Sequence, residues 1–409
     1  MKSLGLPLII ILAISAVGLP FTYVSYSVWG SNSKPDFFFG VSYGGNTTQG
    51  AKLLIDKVKG YTNFFLINNW DLNEYENETL LNEICDYAAQ SGLYFMVFFD
   101  FVSIQTYLWH QTWMDTVKER YGDKFLGILL YDEPGGKQIE TGQWDGGLVV
   151  RESFQNVSSP SEAASTFTSL GSTQSMRDAK LRSIPVFTAD FALYWYDYKA
   201  GYDSVFVELG WNASRTQQIA LCRGAATSFG KDWGAIVTWT YEQPPYIGSG
   251  PEILKDMRTA YDAGAKYVIV FDWPTYPENN PYGILTEEHF TAMQEFWNYT
   301  QSAQKGSQRI TSQSAVVLPR DYGGGLRRED DHVWAPLNVT DISLRNNDSY
   351  DVTWRLKWPP DTQTPLIWEN LNKLSERDGL RLDVIFEEVN NVNLIKRYSR
   401  VYLWNQTIS

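Results

Sequence analysis

Acidic side chains close one apolar run after another in this sequence. Asp100 ends the run that begins at Tyr94, Asp132 and Glu133 end the run from Phe125, and Asp190 ends the run from Pro185. Glu208 lies near the end of the run from Ser204, Glu242 follows the run from Trp233, and Asp272 ends the run from Lys266. Tyr43, Asn69, Trp239, Tyr241 and Trp273 hold comparable positions. Turns need polar residues, which accounts for some of these acids but not for one after nearly every run from the third to the eighth. Such a set can put two carboxyl groups on one bond. Glycoside hydrolysis uses them so: one protonates the leaving oxygen, and the other attacks the anomeric carbon or activates a water. Aromatic rings complement carboxylates there, because the C–H faces of a sugar stack on flat apolar surfaces. The chain is rich in them, with 16 Trp and 25 Tyr, although core packing absorbs at least half.

Other chemistries find little support. Only three His occur, at 110, 289 and 332, so a His-rich metal site is not expected. A carboxylate-only Mg²⁺ or Ca²⁺ site has no spacing to support it. Neither a Gly-x-Ser-x-Gly elbow nor a Walker loop is present, and Gly323-Gly324-Gly325 reads as a tight turn, so no metal and no cofactor are expected. The net charge is −13 and no Lys/Arg-rich run occurs, which argues against nucleic acid as a partner.

The elements that would position these residues follow from the alternation of short apolar runs with helix-patterned segments from residue 36 onward. Strands are expected at 37–43, 63–69, 94–101, 125–133, 185–190, 204–209, 233–241 and 266–273. A polar, Gly-rich loop over 134–160 lengthens the fourth interval, and a short helix over 194–200 fills the fifth. Eight β/α units of this total length predict an α/β fold, a (β/α)8 TIM barrel over 34–300, with its site where the strands end. A doubly wound open sheet is the alternative. The loop after Glu133 carries Trp144 and five glycines over 134–147, and reads as a lid bringing Trp144 to Asp132, Glu133 and Trp273. A Gln/Ser/Thr-rich linker over 301–314 precedes a small α/β layered domain at 315–409. Its strands are expected at 315–319, 382–387 and 400–404, and its helix at 365–376.

Residues 4–29 are almost wholly apolar, with no charge between Lys2 and Lys34. The segment 1–33 reads as a membrane-spanning signal anchor with Lys2 on the cytoplasmic side. A signal peptide cleaved after Ala16-Val17-Gly18 is the alternative. Either places the remainder outside the cytoplasm. Eight Asn-x-Ser/Thr sequons, at Asn46, Asn77, Asn156, Asn212, Asn298, Asn338, Asn347 and Asn405, agree with export. Cys85 and Cys222, both placed in helices, read as buried free thiols.

Two stretches resemble a known group. The run Gly127-Ile-Leu-Leu-Tyr-Asp-Glu-Pro134 ends the fourth expected strand, and Ala235-Ile-Val-Thr-Trp-Thr-Tyr-Glu242 ends the seventh. They resemble the large clan of retaining glycosidases with (β/α)8 barrels, whose acid/base Glu ends the fourth strand and whose nucleophile Glu ends the seventh. The resemblance implies Glu133 as acid/base, Glu242 as nucleophile and Trp273 as a sugar platform. The strand ends and the loop after the fourth strand add Tyr43, Asn69, Asp100, Asp132, Trp144, Asp190, Glu208, Trp239, Tyr241 and Asp272 as residues expected about the substrate. It departs at Asp132, where the clan usually has Asn. The C-terminal domain resembles the layered domain that follows the barrel in some β-galactosidases and serves oligomer assembly there. The expectation is therefore a glycosidase acting on extracellular poly- or oligosaccharide or glycoconjugate. The alternative is a non-catalytic surface protein that binds glycans on the same rim.

Overall fold

The computed structural model describes residues 34–68, 78–99, 108–135, 157, 159–171, 174–274, 280–302, 309–324, 326, 363–388 and 392–408. Residues 1–33 lie outside them, and with them the expected anchor or signal segment. Among the described residues no helix is long and apolar enough to cross a membrane.

Eight parallel strands close into a barrel in sequence order: β1 (Phe38–Tyr43), β2 (Phe64–Ile67), β3 (Tyr94–Phe99), β4 (Phe125–Asp132), β5 (Val186–Asp190), β6 (Ser204–Leu209), β7 (Asp232–Val237) and β8 (Tyr267–Val270). Closure is made by β8 against β1, with Tyr267 opposite Phe38 and Val270 opposite Val41. This excludes the doubly wound open sheet. Parallel strands covered on both faces must be apolar throughout, and alternation then sorts them. One parity packs inside the barrel: Phe38, Phe64, Leu66, Met96, Phe98, Phe187, Ala189, Phe206, Ile236, Tyr267 and Ile269 form a core of their own. The other parity, with Phe39, Val41, Phe65, Val97, Val186, Val207, Val237 and Val268, packs against the helices. The interior is unusually aromatic. Tyr267 stacks on Phe38 at 5.1 Å between ring centroids and meets Phe206 and Phe187 at 5.6 Å. Small residues make room for these rings: a Cβ on Gly40 would overlap the Phe64 carbonyl.

The described helices are α1 (Thr48–Val58), α2 (Glu78–Gln90), α3 (Leu108–Tyr121), α4 (Pro160–Gly171), α5 (Gln174–Leu181), α6 (Tyr194–Ala200), α7 (Arg215–Phe229), α8 (Gly250–Asp262), α9 (Glu287–Ser302), α10 (Thr364–Asp378) and α11 (Val392–Ile395). Their ends follow local chemistry. Ser214 caps α7 by accepting from the Gln217 N–H, and Gly230 ends that helix at a left-handed φ of 64°. Ser249 and Glu252 form a capping box at the start of α8. Cys85 in α2 and Cys222 in α7 are buried free thiols.

Beyond the barrel, β9 (Ser314–Leu318), β10 (Leu382–Phe386) and β11 (Arg400–Leu403) form a parallel sheet in the order β10-β9-β11. Residues 36–409 make one compact unit. The Arg223 guanidinium of α7 pairs with Asp383 of β10 at 2.7 Å, the two side chains being 7% and 2% exposed. It also donates to the carbonyls of Leu380 and Leu382 at 2.7 and 2.9 Å. Gly224, the next residue, lets the helix touch the β10 backbone, since a Cβ there would overlap the Val384 carbonyl. The segment around the expected linker is held on both sides: Ile310 N–H donates to Asp262 O at 2.6 Å, and Gln313 N–H to Arg381 O at 2.8 Å.

Candidate active site

The carboxyl ends of β4 and β6 bring two glutamates together. At the end of β4 the pairing with β5 slips: Leu129 faces Phe187, but Asp132 faces Ala189. Tyr131 and Glu133 both take positive φ, 60° and 50°, an unfavourable conformation for such side chains. The bulge is fixed by Glu133 N–H to Ala189 O at 3.0 Å and by Thr188 Oγ1 donating to Tyr131 O at 2.9 Å. A bulge of this kind re-aims the side chains that follow it. Glu208 needs no such device. It shares the parity of Phe206, whose ring fills the barrel, so it enters the mouth from inside, 6% exposed. Burial above all, then the charges of Glu133, Asp132 and Asp190 and a hydrogen bond with Glu133, hold the Glu208 carboxyl well above the usual carboxylate range. A hydrogen bond joins the two carboxyl groups. The mouth holds a buried carboxyl beside a half-buried second one, with Asp132 adjacent.

Two other acids sit on the opposite parity and tie loops to the barrel. Asp190 accepts from the Gly135 and Phe191 N–H groups, both at 2.7 Å, and burial pushes its pKa up to about 6. Asp197 of α6 lies buried beside it without a well-formed hydrogen bond of its own. Burial and the Asp190 charge push its pKa well up. Asp272 accepts from the Ile284 N–H at 3.1 Å, and its own N–H donates to Ser42 Oγ at 3.0 Å.

Burial pushes Asp272 up to about 8, against the hydrogen bonds it accepts. An unfolded Asp ionises near about pH 4. Between there and about pH 8 the unfolded chain has lost a proton that the fold retains, so stability falls as pH rises. Asp272→Asn removes this titration. Its thermal midpoint is expected to match wild type near about pH 4 and to exceed it progressively toward about pH 8, by at most about 1.4 kcal/mol per pH unit. A melting series across pH checks this, and a gap independent of pH contradicts it.

The remaining candidates fall into three groups. Trp239, Phe271 and Trp273 form an aromatic row at the ends of β7 and β8, with ring centroids 5.3 Å and then 6.1 Å apart, the last two rings nearly parallel. Gly44 permits the row to reach β1, since a Cβ there would strike the Trp273 ring. Tyr43 is buried on the helix side and uses its hydroxyl locally, donating to Thr47 O at 2.7 Å. Glu242 and Tyr241 do not join the pair. Strand β7 ends at Val237, short of the expected 241, because its partner β8 ends at Val270. The chain then folds back as a short hairpin, with Trp239 bridged to Ile247 and Thr240 N–H donating to Tyr246 O at 2.7 Å. That leaves Tyr241 and Glu242 exposed near its tip. Asn69, Asp100 and Trp144 lie outside the described residues, as does most of the expected lid. Asp197 is not among the residues expected from the sequence, although a lone acid within Tyr194-Trp-Tyr-Asp-Tyr198 is the signal that marks it. No group of His, Cys, Asp and Glu suited to a metal ion occurs among the described residues.

The fold is a closed (β/α)8 barrel, with carboxyl groups and aromatic rings at the carboxyl ends of its strands. Two solved structures share the fold. A β-galactosidase from the Antarctic haloarchaeon Halorubrum lacusprofundi superposes with a TM-score of 0.53 at 12% identity, over 90% of this chain and 69% of that one. A GH5_18 protein from Bifidobacterium longum subsp. longum, in complex with Manβ1-4GlcNAc, superposes with a TM-score of 0.51 at 12% identity, over 91% and 97%. At this identity the likeness is one of fold. No protein-family model and no curated protein matches the chain.

Proposed function

We propose that the protein is a glycoside hydrolase acting on oligo- or polysaccharide or glycoconjugate outside the cytoplasm, with Glu133 and Glu208 as its reacting carboxyl groups. The observation that carries this reading is the pair itself: a buried carboxyl from β6 hydrogen-bonded to a Glu that a strained bulge aims into the barrel mouth. The pair's proton passes to Glu133, the less buried of the two, which donates it to the leaving oxygen as acid/base. That leaves Glu208 ionised to attack the anomeric carbon as the glycosidic bond breaks. Glu133 then takes a proton from an incoming water, which displaces Glu208 from the glycosyl ester and completes a retaining cycle. The row of Trp239, Phe271 and Trp273 offers the sugar its platform. Glu242, the nucleophile implied by the resemblance, becomes a rim residue in this reading. Segment 1–33 remains the proposed anchor or signal for export, and mass analysis of the mature N-terminus distinguishes the two.

The test is a screen of neutral aryl glycosides and oligosaccharides, followed by NMR of the first-formed anomer. Hydrolysis with retention, lost in Glu133→Gln, is the expected result. A folded wild-type protein that hydrolyses none of them overturns the reading. One observation favours a second reading, a non-catalytic glycan-binding surface: hydrogen-bonded carboxyls stand closer than the roughly 5–5.5 Å at which retaining pairs flank a sugar. Under the first reading substrate parts the pair. Under the second, glycans bind without turnover.

A further inference from the structure

Among the exposed large apolar side chains of the described residues, two are aromatic: Trp211, 39% exposed, and Tyr241, 44% exposed. Both line the same cavity of 620 Å³. It lies among the loop after β6, the hairpin after β7, the first turn of α7 and the stretch of α8 from Glu252 to Thr259. Val237, which lines it, packs on the helix side of β7, whereas Glu208 enters the barrel from the inner face. The cavity is therefore a place apart from the mouth.

The loop holding Trp211 is built to display the ring. Trp211 adopts a φ of 46°, a true outlier for a bulky residue. Its N–H donates to Trp239 O at 2.6 Å. The Arg215 guanidinium donates to the carbonyls of Gly210, Trp211 and Ala213 at 2.5, 3.2 and 3.0 Å, and to Asp256 Oδ2 at 3.1 Å. Backbone strain held in place beside a cavity, with its cost offset by such contacts, is characteristic of ligand sites. The two cations on the wall, Arg215 and Lys255, are matched by two acids, Glu252 and Asp256, so the cavity suits a neutral ligand with many hydroxyls and flat C–H faces.

We propose that this cavity is a second carbohydrate site, in which a neutral oligosaccharide stacks on Trp211 and Tyr241 while its hydroxyls bond to Asn212, Thr240 and Asp256. The site stands whether or not the barrel mouth hydrolyses glycosides. The sugar has two sources. One is a separate chain. The other is a glycan on Asn212 itself, which begins an Asn-Ala-Ser sequon at the cavity edge and is exposed.

The full chain, made in a host without N-glycosylation and carrying Glu208→Gln to suppress turnover, is titrated calorimetrically with gluco-, manno- and galacto-configured hexasaccharides. At least one is expected to bind, and Trp211→Gly together with Tyr241→Ala is expected to weaken that binding about tenfold or more. Glycine suits the positive φ, so Trp211→Gly alone should leave the thermal midpoint unchanged or raised, where a ring that merely packs would lower it. Binding of no hexasaccharide, or binding indifferent to both substitutions, overturns the proposal. Material from a glycosylating host then identifies the source. A glycan on the Asn212 peptide that blocks the hexasaccharide, with binding restored by Asn212→Gln, assigns the cavity to the protein's own glycan. Unblocked binding assigns it to a separate chain.

Discussion

Glu208→Gln is expected to lower kcat by about a thousandfold or more on any glycoside the protein hydrolyses, with little change in KM. The amide keeps the shape and a hydrogen bond to Glu133, but it can neither attack an anomeric carbon nor share a proton. The fold should not suffer. Burial raises the carboxyl well above its usual range, so the site favours the uncharged form, and an amide of the same shape is uncharged too. Glu133 in turn loses the acid beside it, and the limb of the pH–rate profile governed by the pair should move. A merely structural Glu208 would give a different pattern: a lowered melting temperature, an unmoved profile and near-normal kcat. Circular dichroism melting run beside the kinetics separates the two.

The second large effect concerns how the small sheet is held. Arg223→Ala is expected to destabilise the protein by about 3–5 kcal/mol, since it leaves Asp383 buried without its cation. Asp383 also accepts from the Tyr398 hydroxyl at 2.9 Å, which cannot neutralise it. Replacing both members by apolar residues, Arg223→Met with Asp383→Leu, should recover most of that loss, because the desolvation of both charges disappears with the pair. Chemical denaturation of the two single variants and the double variant measures this coupling. Single variants within about 1 kcal/mol of wild type would show that the contact between α7 and β10 does not depend on the ion pair.

The barrel was legible because its strands are covered on both faces and so read as uninterrupted apolar runs at β/α spacing. Strand β6 coincides with its expected span of 204–209, and α6 with 194–200. The strands shortened most at their carboxyl ends, where apolar letters continue after pairing stops. That is the case at 238–241, where Thr-Trp-Thr-Tyr extends a run whose partner strand has already ended. The consequence falls on chemistry, since Glu242 rides out on the hairpin while Glu208 meets Glu133. The acidic rim is visible in the sequence, and strand parity divides it into two faces. Parity with Phe206 places Glu208 inside, and parity with Val186 and Val268 places Asp190 and Asp272 against the helices. The bulge that aims Glu133 has no such signature, because positive φ at Tyr131 and Glu133 is imposed by tertiary pairing against the preferences of both residues.

The proposed reaction adds water across a glycosidic bond at the Glu133–Glu208 pair. Incubation with neutral oligosaccharides in ¹⁸O-labelled water, read by mass spectrometry, tests it most directly. The account predicts ¹⁸O at the newly formed reducing end with wild type and with Glu242→Gln, and none with Glu133→Gln or Glu208→Gln. Label that persists in Glu208→Gln but vanishes in Glu242→Gln, or no label from a folded wild-type protein on any oligosaccharide, would contradict it.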